Sequence, residues 1–174
     1  VFQALLGQWT VTWLLKPIVV MGHLLGGLTT LGLLTWMAWR ATNSPVRIAG
    51  ATAMRAFLIA AVCLLGIQIA LGGWVSANYA ALACGNEFPE CVGQWWPPHD
   101  FREGFVLWRG IGVDYEGGVL DGAARIAIQL AHRGMALVVF VYLIWLAVKL
   151  IRTPGLVLTG TVLATLTLAQ VALG

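Results

Sequence analysis

Long, nearly uninterrupted apolar runs set the pattern of this chain, and the widest is residues 126–148, IAIQLAHRGMALVVFVYLIWLAV, where only Gln129, His132 and Arg133 are strongly polar. At about 1.5 Å of rise per residue, such a run crosses a hydrocarbon core of roughly 30 Å and predicts a membrane-spanning helix. Residues 18–39 predict a second complete span and residues 56–75 a third. Residues 1–15 read as the outer end of a helix, and residues 156–174 as one more outward-running helix. Lys16-Pro17 makes a tight connection, because proline suits a first helical turn. TNSP at 42–45 marks a short loop. Residues 76–125 form a loop of about fifty residues, far longer than usual connections, and loops of that length tend to be functional or to carry structure of their own.

Composition turns these runs into a class. Hydrophobic residues make up 60% of the chain and charged ones 10%, with a mean hydropathy of +0.87, outside the range of soluble domains. The fold class is therefore an all-α integral membrane protein, a transmembrane helix bundle. The net charge of +3 is not a nucleic-acid patch. All seven acids (Glu87, Glu90, Asp100, Glu103, Asp114, Glu116, Asp121) fall in the long loop, whereas Arg40, Arg47, Arg55, Lys149 and Arg152 flank the opposite helix ends. The positive-inside rule puts those basic ends in the cytoplasm and the loop outside. Trp95-Trp96 and FREGFVLW (101–108) have the character of a segment at the membrane interface, with plain anchoring the favoured role. The chain opens at Val1 without a basic n-region, and the expectation is a fragment of a longer protein, cut within a membrane segment at both ends.

Gln-x-x-Leu-Gly occurs at 3–7 (QALLG), 68–72 (QIALG) and 170–174 (QVALG), each near the outer end of an outward-running helix. Matching position and direction point to an internal duplication, as in membrane folds built from related halves. Gln3 precedes His23 by 20 residues, so a histidine is expected beyond Gly174, and the counterpart of His132 upstream of Val1.

An ionisable side chain inside a bilayer is a functional candidate by default. His23 and His132 are two such residues, accompanied by Gly22, Gly26 and Gly27 and by Ala131, Gly134 and Ala136. A helix face free of bulk suits an imidazole-ligated haem, and ordinary small-residue helix packing explains it equally. Arg133 points about 100° away from His132 and calls for an anion such as a haem propionate, or snorkels to the surface. Cys84 and Cys91 (CGNEFPEC) suit a disulfide in an oxidising compartment, with thiol exchange the weaker use. Cys63 reads as a packing residue and His99 as a surface histidine. No nucleotide loop, zinc spacing or hydrolase triad is present.

With those residues in view, GGWVSANYAALAC (72–84), FPEC (88–91), IQLAHR (128–133) and the paired QALLG (3–7) and GHLLGG (22–27) resemble the haem A synthase family over nearly the whole chain. The resemblance implies a duplicated two-times-four-helix architecture, each half with a histidine pair near the outer face. On it, residues 1–40 end the first half, 41–55 are a cytoplasmic linker, and 56–174 begin the second half, including the loop 76–125. It further implies an oxidoreductase that converts a ring methyl of haem O to the formyl group of haem A. His132 would bind the iron of haem b, with Arg133 beside it, and His23 the iron of the substrate haem. The acidic residue thought to be catalytic in the family has no counterpart in these 174 residues, so no catalytic side chain is assigned. The implied partners are haem O, the synthase that makes it and the lipid bilayer, with a homo-oligomer compatible and the electron donor unassigned. The implied location is a bacterial cytoplasmic membrane ahead of the mitochondrial inner membrane. A haem b electron-transfer subunit is the competing reading of paired helix histidines, and a disulfide-exchange protein using Cys84 and Cys91 is a third.

Overall fold

The structure, a computed structural model, describes residues 1–44 and 51–173. Pro45 and Arg47 of the basic loop, part of the 41–55 linker, and Gly174 of the third repeat lie outside the described residues. Among the described residues the fold is all-α, with only an isolated bridge pairing Cys91 with Gln94. The order is α1 (Phe2–Thr12), α2 (Pro17–Thr42), α3 (Ala51–Ala77), α4 (Phe101–Gly104), α5 (Gly122–Ile151) and α6 (Val157–Leu173). Of these, α2, α3 and α5 are long and apolar enough to cross a membrane.

The boundaries have local causes. α1 stops at Thr12 because Leu14 and Leu15 take positive φ of 52° and 58°, a region that side-chain-bearing residues enter only when tertiary contacts hold them there. Here the contact is a hydrogen bond from the Tyr115 N–H to the Leu14 carbonyl (3.1 Å). Proline at the first position of α2 then starts a helix whose last turn carries Arg40, the sign favoured at a C-terminus. α5 begins at Gly122, four residues before the apolar run, because Asp121 Oδ1 accepts from the Ala124 N–H (2.8 Å). That is an N-cap in the ordinary sense, and it extends the helix into polar sequence. Asp100 caps the single turn of α4 in the same way through the Glu103 N–H (2.9 Å).

The helices divide into two compact units, one of Val1–Ala38 and Ile69–Arg133, the other of Trp39–Gln68 and Gly134–Gly174. The first is built on Met21, Trp74, Val75, Ala80, Leu120, Ala124 and Ile128, with Leu25, Ala70 and Phe105 packed against them. Trp74, buried, donates its indole N–H to the Gly104 carbonyl (2.9 Å), which ties the one turn of α4 to α3. The second unit is built on Ala61, Val139, Leu143, Leu146, Leu150 and Leu156. Within it, a Cβ added at Gly160 would lie 2.7 Å from the Ala147 carbonyl oxygen and the Ile151 nitrogen. Only glycine allows α6 that close to α5. Only 11% of the most apolar window of α2 and of α3, and 28% of that of α5, is buried within the chain. The remaining apolar surface is what lipid or other membrane helices cover in an integral membrane protein.

Candidate functional site

The site region lies in the first unit, where α1 with α2 and α3 with α5 each bring a glycine against an imidazole. His23 stands six residues beyond Pro17, and His132 ten beyond Gly122. Counted from their helix starts they differ by four residues, since the Asp121 cap lengthens α5. His132 is half-buried and His23 exposed. A Cβ on Gly7 would lie 3.1 Å from His23 Cε1, and one on Gly72 would lie 3.2 Å from His132 Cε1. Both glycines close a copy of Gln-x-x-Leu-Gly. The repeat was legible in the sequence; the place of its glycine under the rings was not, because sequence spacing does not say which helices face each other.

The small residues beside His23 serve helix packing. Gln3 donates to the His23 carbonyl (2.8 Å) and lies over Gly26 and Gly27, where an added Cβ on Gly26 would fall 2.5 Å from Gln3 Oε1. That oxygen is itself buried without a hydrogen-bond partner. Gly22 faces Leu6. On α5 the picture differs, for a Cβ at Gly134 would meet nothing within 4 Å.

Arg133 spans from α5 to the disulfide loop. Its two terminal nitrogens donate to the carbonyls of Glu87 and Glu90, each at 3.0 Å, and the guanidinium lies 5.9 Å from the Phe88 ring centroid. Cys84 and Cys91 are joined in a disulfide with Cα atoms 4.4 Å apart, so the pair read from sequence is in place. Four residues before Arg133, Gln129 donates to the Ala81 carbonyl (3.3 Å). α5 is thus fastened to both sides of Cys84.

Lys16 is a feature the sequence did not single out. It is 2% exposed, lies over the Trp108 ring at 3.3 Å and near Trp13 at 5.9 Å, and hydrogen-bonds the Gly110 carbonyl. Trp9 stacks on Trp13 (5.2 Å), which meets Trp108 edge-on (6.1 Å). The signal was available as Trp9, Trp13 and Lys16 at helical spacing, but their partner is over ninety residues away. Beside this clasp, Arg109 pairs with Glu103 at 2.7 Å. Burial pushes the Tyr115 phenol up, and the Arg109 charge partly opposes it. His99 bonds the Pro97 carbonyl through Nδ1 (2.8 Å) and packs between Trp96 and Phe101, a structural role. Cys63 is a free thiol exposed on α3, so packing within this chain is not its use.

Against known proteins, the family described as cytochrome oxidase assembly protein matches residues 1–174. The chain belongs to that family. A curated relative named heme A synthase, from Shewanella oneidensis, is 41% identical over 178 residues, which cover 99% of this chain and 53% of the relative. The chain thus spans about half the length of the relative it matches. No solved structure matches it.

The name of that relative raises the question whether these residues suit a haem. Among the described residues no group of three or more His, Cys, Asp or Glu could hold a metal ion. A macrocycle supplies its iron's equatorial ligands itself and needs only single axial donors. His23 and His132 stand one per helix, each imidazole backed by a glycine, and each could serve as such a donor. The residues fit.

Proposed function

We propose that this chain is part of a haem A synthase, an oxidoreductase that converts a ring methyl of haem O to the formyl group of haem A. The observation that carries the reading is the 41% identity over nearly the whole chain to a protein of that name. His132 would hold the iron of haem b through one ring nitrogen. His23 takes the iron of the substrate haem. A neutral imidazole ligates through one nitrogen while a hydrogen bond at the other fixes ring and tautomer. Haem b, when bound, would supply a redox centre that relays electrons for that oxidation. Arg133 keeps the disulfide loop over the outer part of α5, and its remaining N–H groups are donors for a carboxylate such as a propionate. Haem O reaches the protein from the synthase that makes it, within a bacterial cytoplasmic membrane, a location to which the bacterial relative lends support.

The test is turnover by the full-length protein. Given haem O, dioxygen and a reductant, it yields hydroxylated and formylated haem; a protein that binds haem b yet leaves haem O unchanged is an electron-transfer subunit instead. The orientation, with residues 76–125 outside, is checked by a cysteine placed at Asn43. A membrane-impermeant thiol reagent applied to intact cells should miss it, and efficient labelling reverses the topology.

A further inference from the structure

We propose that Gly7 and Gly72 are positioning residues, each seating the imidazole of one candidate iron ligand, His23 and His132; this rests on the reading of those histidines as haem ligands. The two contacts use different helix pairs, α1 with α2 and α3 with α5, yet they agree in detail. A Cβ on Gly7 meets His23 Cε1 at 3.1 Å and both ring nitrogens at 3.6 Å. A Cβ on Gly72 meets His132 Cε1 at 3.2 Å, Nδ1 at 3.8 Å and Nε2 at 3.9 Å. In each case the three nearest atoms all belong to the ring, and the glycine stands five residues before its helix ends. Other helical glycines differ. Gly32 and Gly66 meet nothing within 4 Å, Gly73 faces Met21 and Leu24, and Gly160 faces backbone. Contact with an imidazole belongs to the motif glycine, not to glycine in these helices generally.

The geometry gives the contact a use. Cε1 lies between the two ring nitrogens, so a methyl pressing on it displaces whichever nitrogen ligates. Without iron the imidazole has only its protein contacts to shift against, and neither residue is fully buried, so its two side-chain torsions take up the few tenths of an ångström required. A ligated imidazole is held at its far side as well and yields only by tilting the bond to iron. Alanine at a seat is therefore tolerated by the empty protein and felt by the loaded one. A glycine needed only for close helix packing behaves in the opposite way, since its methyl separates the helices whether or not haem is bound.

The experiment uses the full-length protein, purified without haem and then loaded with haem b. For Gly72→Ala the expected results are an unchanged thermal midpoint without haem, shifted low-spin electron paramagnetic resonance g values and midpoint potential with haem, and a loss of haem affinity of about tenfold, the scale of groups that orient a metal ligand. Gly7→Ala should leave the haem b signature in place and weaken uptake of the substrate haem. Unchanged g values, potential and affinity in Gly72→Ala, alongside loss of the low-spin signal in His132→Ala, would overturn the seat and leave the ligand reading standing. A His132→Ala protein that keeps its full low-spin signal overturns the ligand reading, and the seat with it. If Gly72→Ala alone fails to accumulate, the pair Gly72→Ala with His132→Gly decides. With the ring removed the methyl loses its three nearest neighbours, so recovered accumulation supports the seat and continued loss overturns it.

Discussion

His23 and His132 meet their glycines in the same way, but the chain delivers them very differently. Between α1 and α2 lie only residues 13–16, whereas between α3 and α5 lie residues 78–121. Closing the longer connection costs about 2 kcal/mol more than the shorter by chain statistics, and the fold is fastened accordingly. The hairpin of α1 and α2 is joined by a four-residue turn and by the bond from Gln3 to the His23 carbonyl. The long loop is tied at intervals: Gln129 to Ala81, the Cys84–Cys91 disulfide, Arg133 to Glu87 and Glu90, Asp100 N–H to Ala123, Trp74 to Gly104, Lys16 to Gly110 and Tyr115 N–H to Leu14. Two of these ties start from α5 within four residues of His132. The loop does by distributed polar contacts what a four-residue turn does by brevity, and its worth to the site lies in holding α5 against α3.

The largest expected effect separates the two histidines outright. His132→Ala in the full-length protein should lose the low-spin haem b signal or most of the haem, while His23→Ala should spare it and impair handling of the substrate haem. Optical spectra of the reduced proteins read both, and equal loss in the two variants would erase the distinction between them. Next comes the loop. Replacing Cys84 and Cys91 together by serine should lower stability by about 2–3 kcal/mol, from the chain entropy of closing so short a loop. Unreduced peptide mapping should find the native link, and two free thiols after oxidising preparation would contradict it. Arg133→Met removes two charge-assisted bonds to carbonyls and should cost about 1–3 kcal/mol. Hydrogen exchange should speed up around residues 84–94 and stay unchanged in the α1–α2 hairpin; equal change in both would mean that the strap is not local.

The smallest effect concerns pH. Tyr115 is buried, and its phenol is raised above the ordinary 10.0. A raised folded value means that its contribution is fully present below pH 10 and is lost as pH climbs through the raised value. Wild type should therefore lose more stability than Tyr115→Phe as the pH rises above 10. Parallel curves for the two proteins would show that the phenol is not held neutral by its burial.

The pattern of apolar runs determined the class, the number of long helices and their approximate ends, because a bilayer imposes a length and a polarity that composition alone satisfies or fails. It also marked His23, His132 and Arg133 as polar residues in apolar surroundings, and placed Cys84 and Cys91 within bonding reach. Where it misjudged an end, as at Gly122, a capping side chain had carried the helix past the edge of the apolar run. Only the tertiary structure decided that Gly7 and Gly72 lie under the imidazoles, that Gln3 covers Gly26 and Gly27, that Arg133 grips the disulfide loop, and that Lys16 is buried against Trp108. The physical reason is common to all four. An apolar run fixes which residues enter a membrane but leaves the rotation of each helix and the choice of its neighbour open. Those are set by close contacts between residues far apart in sequence, which no local spacing encodes.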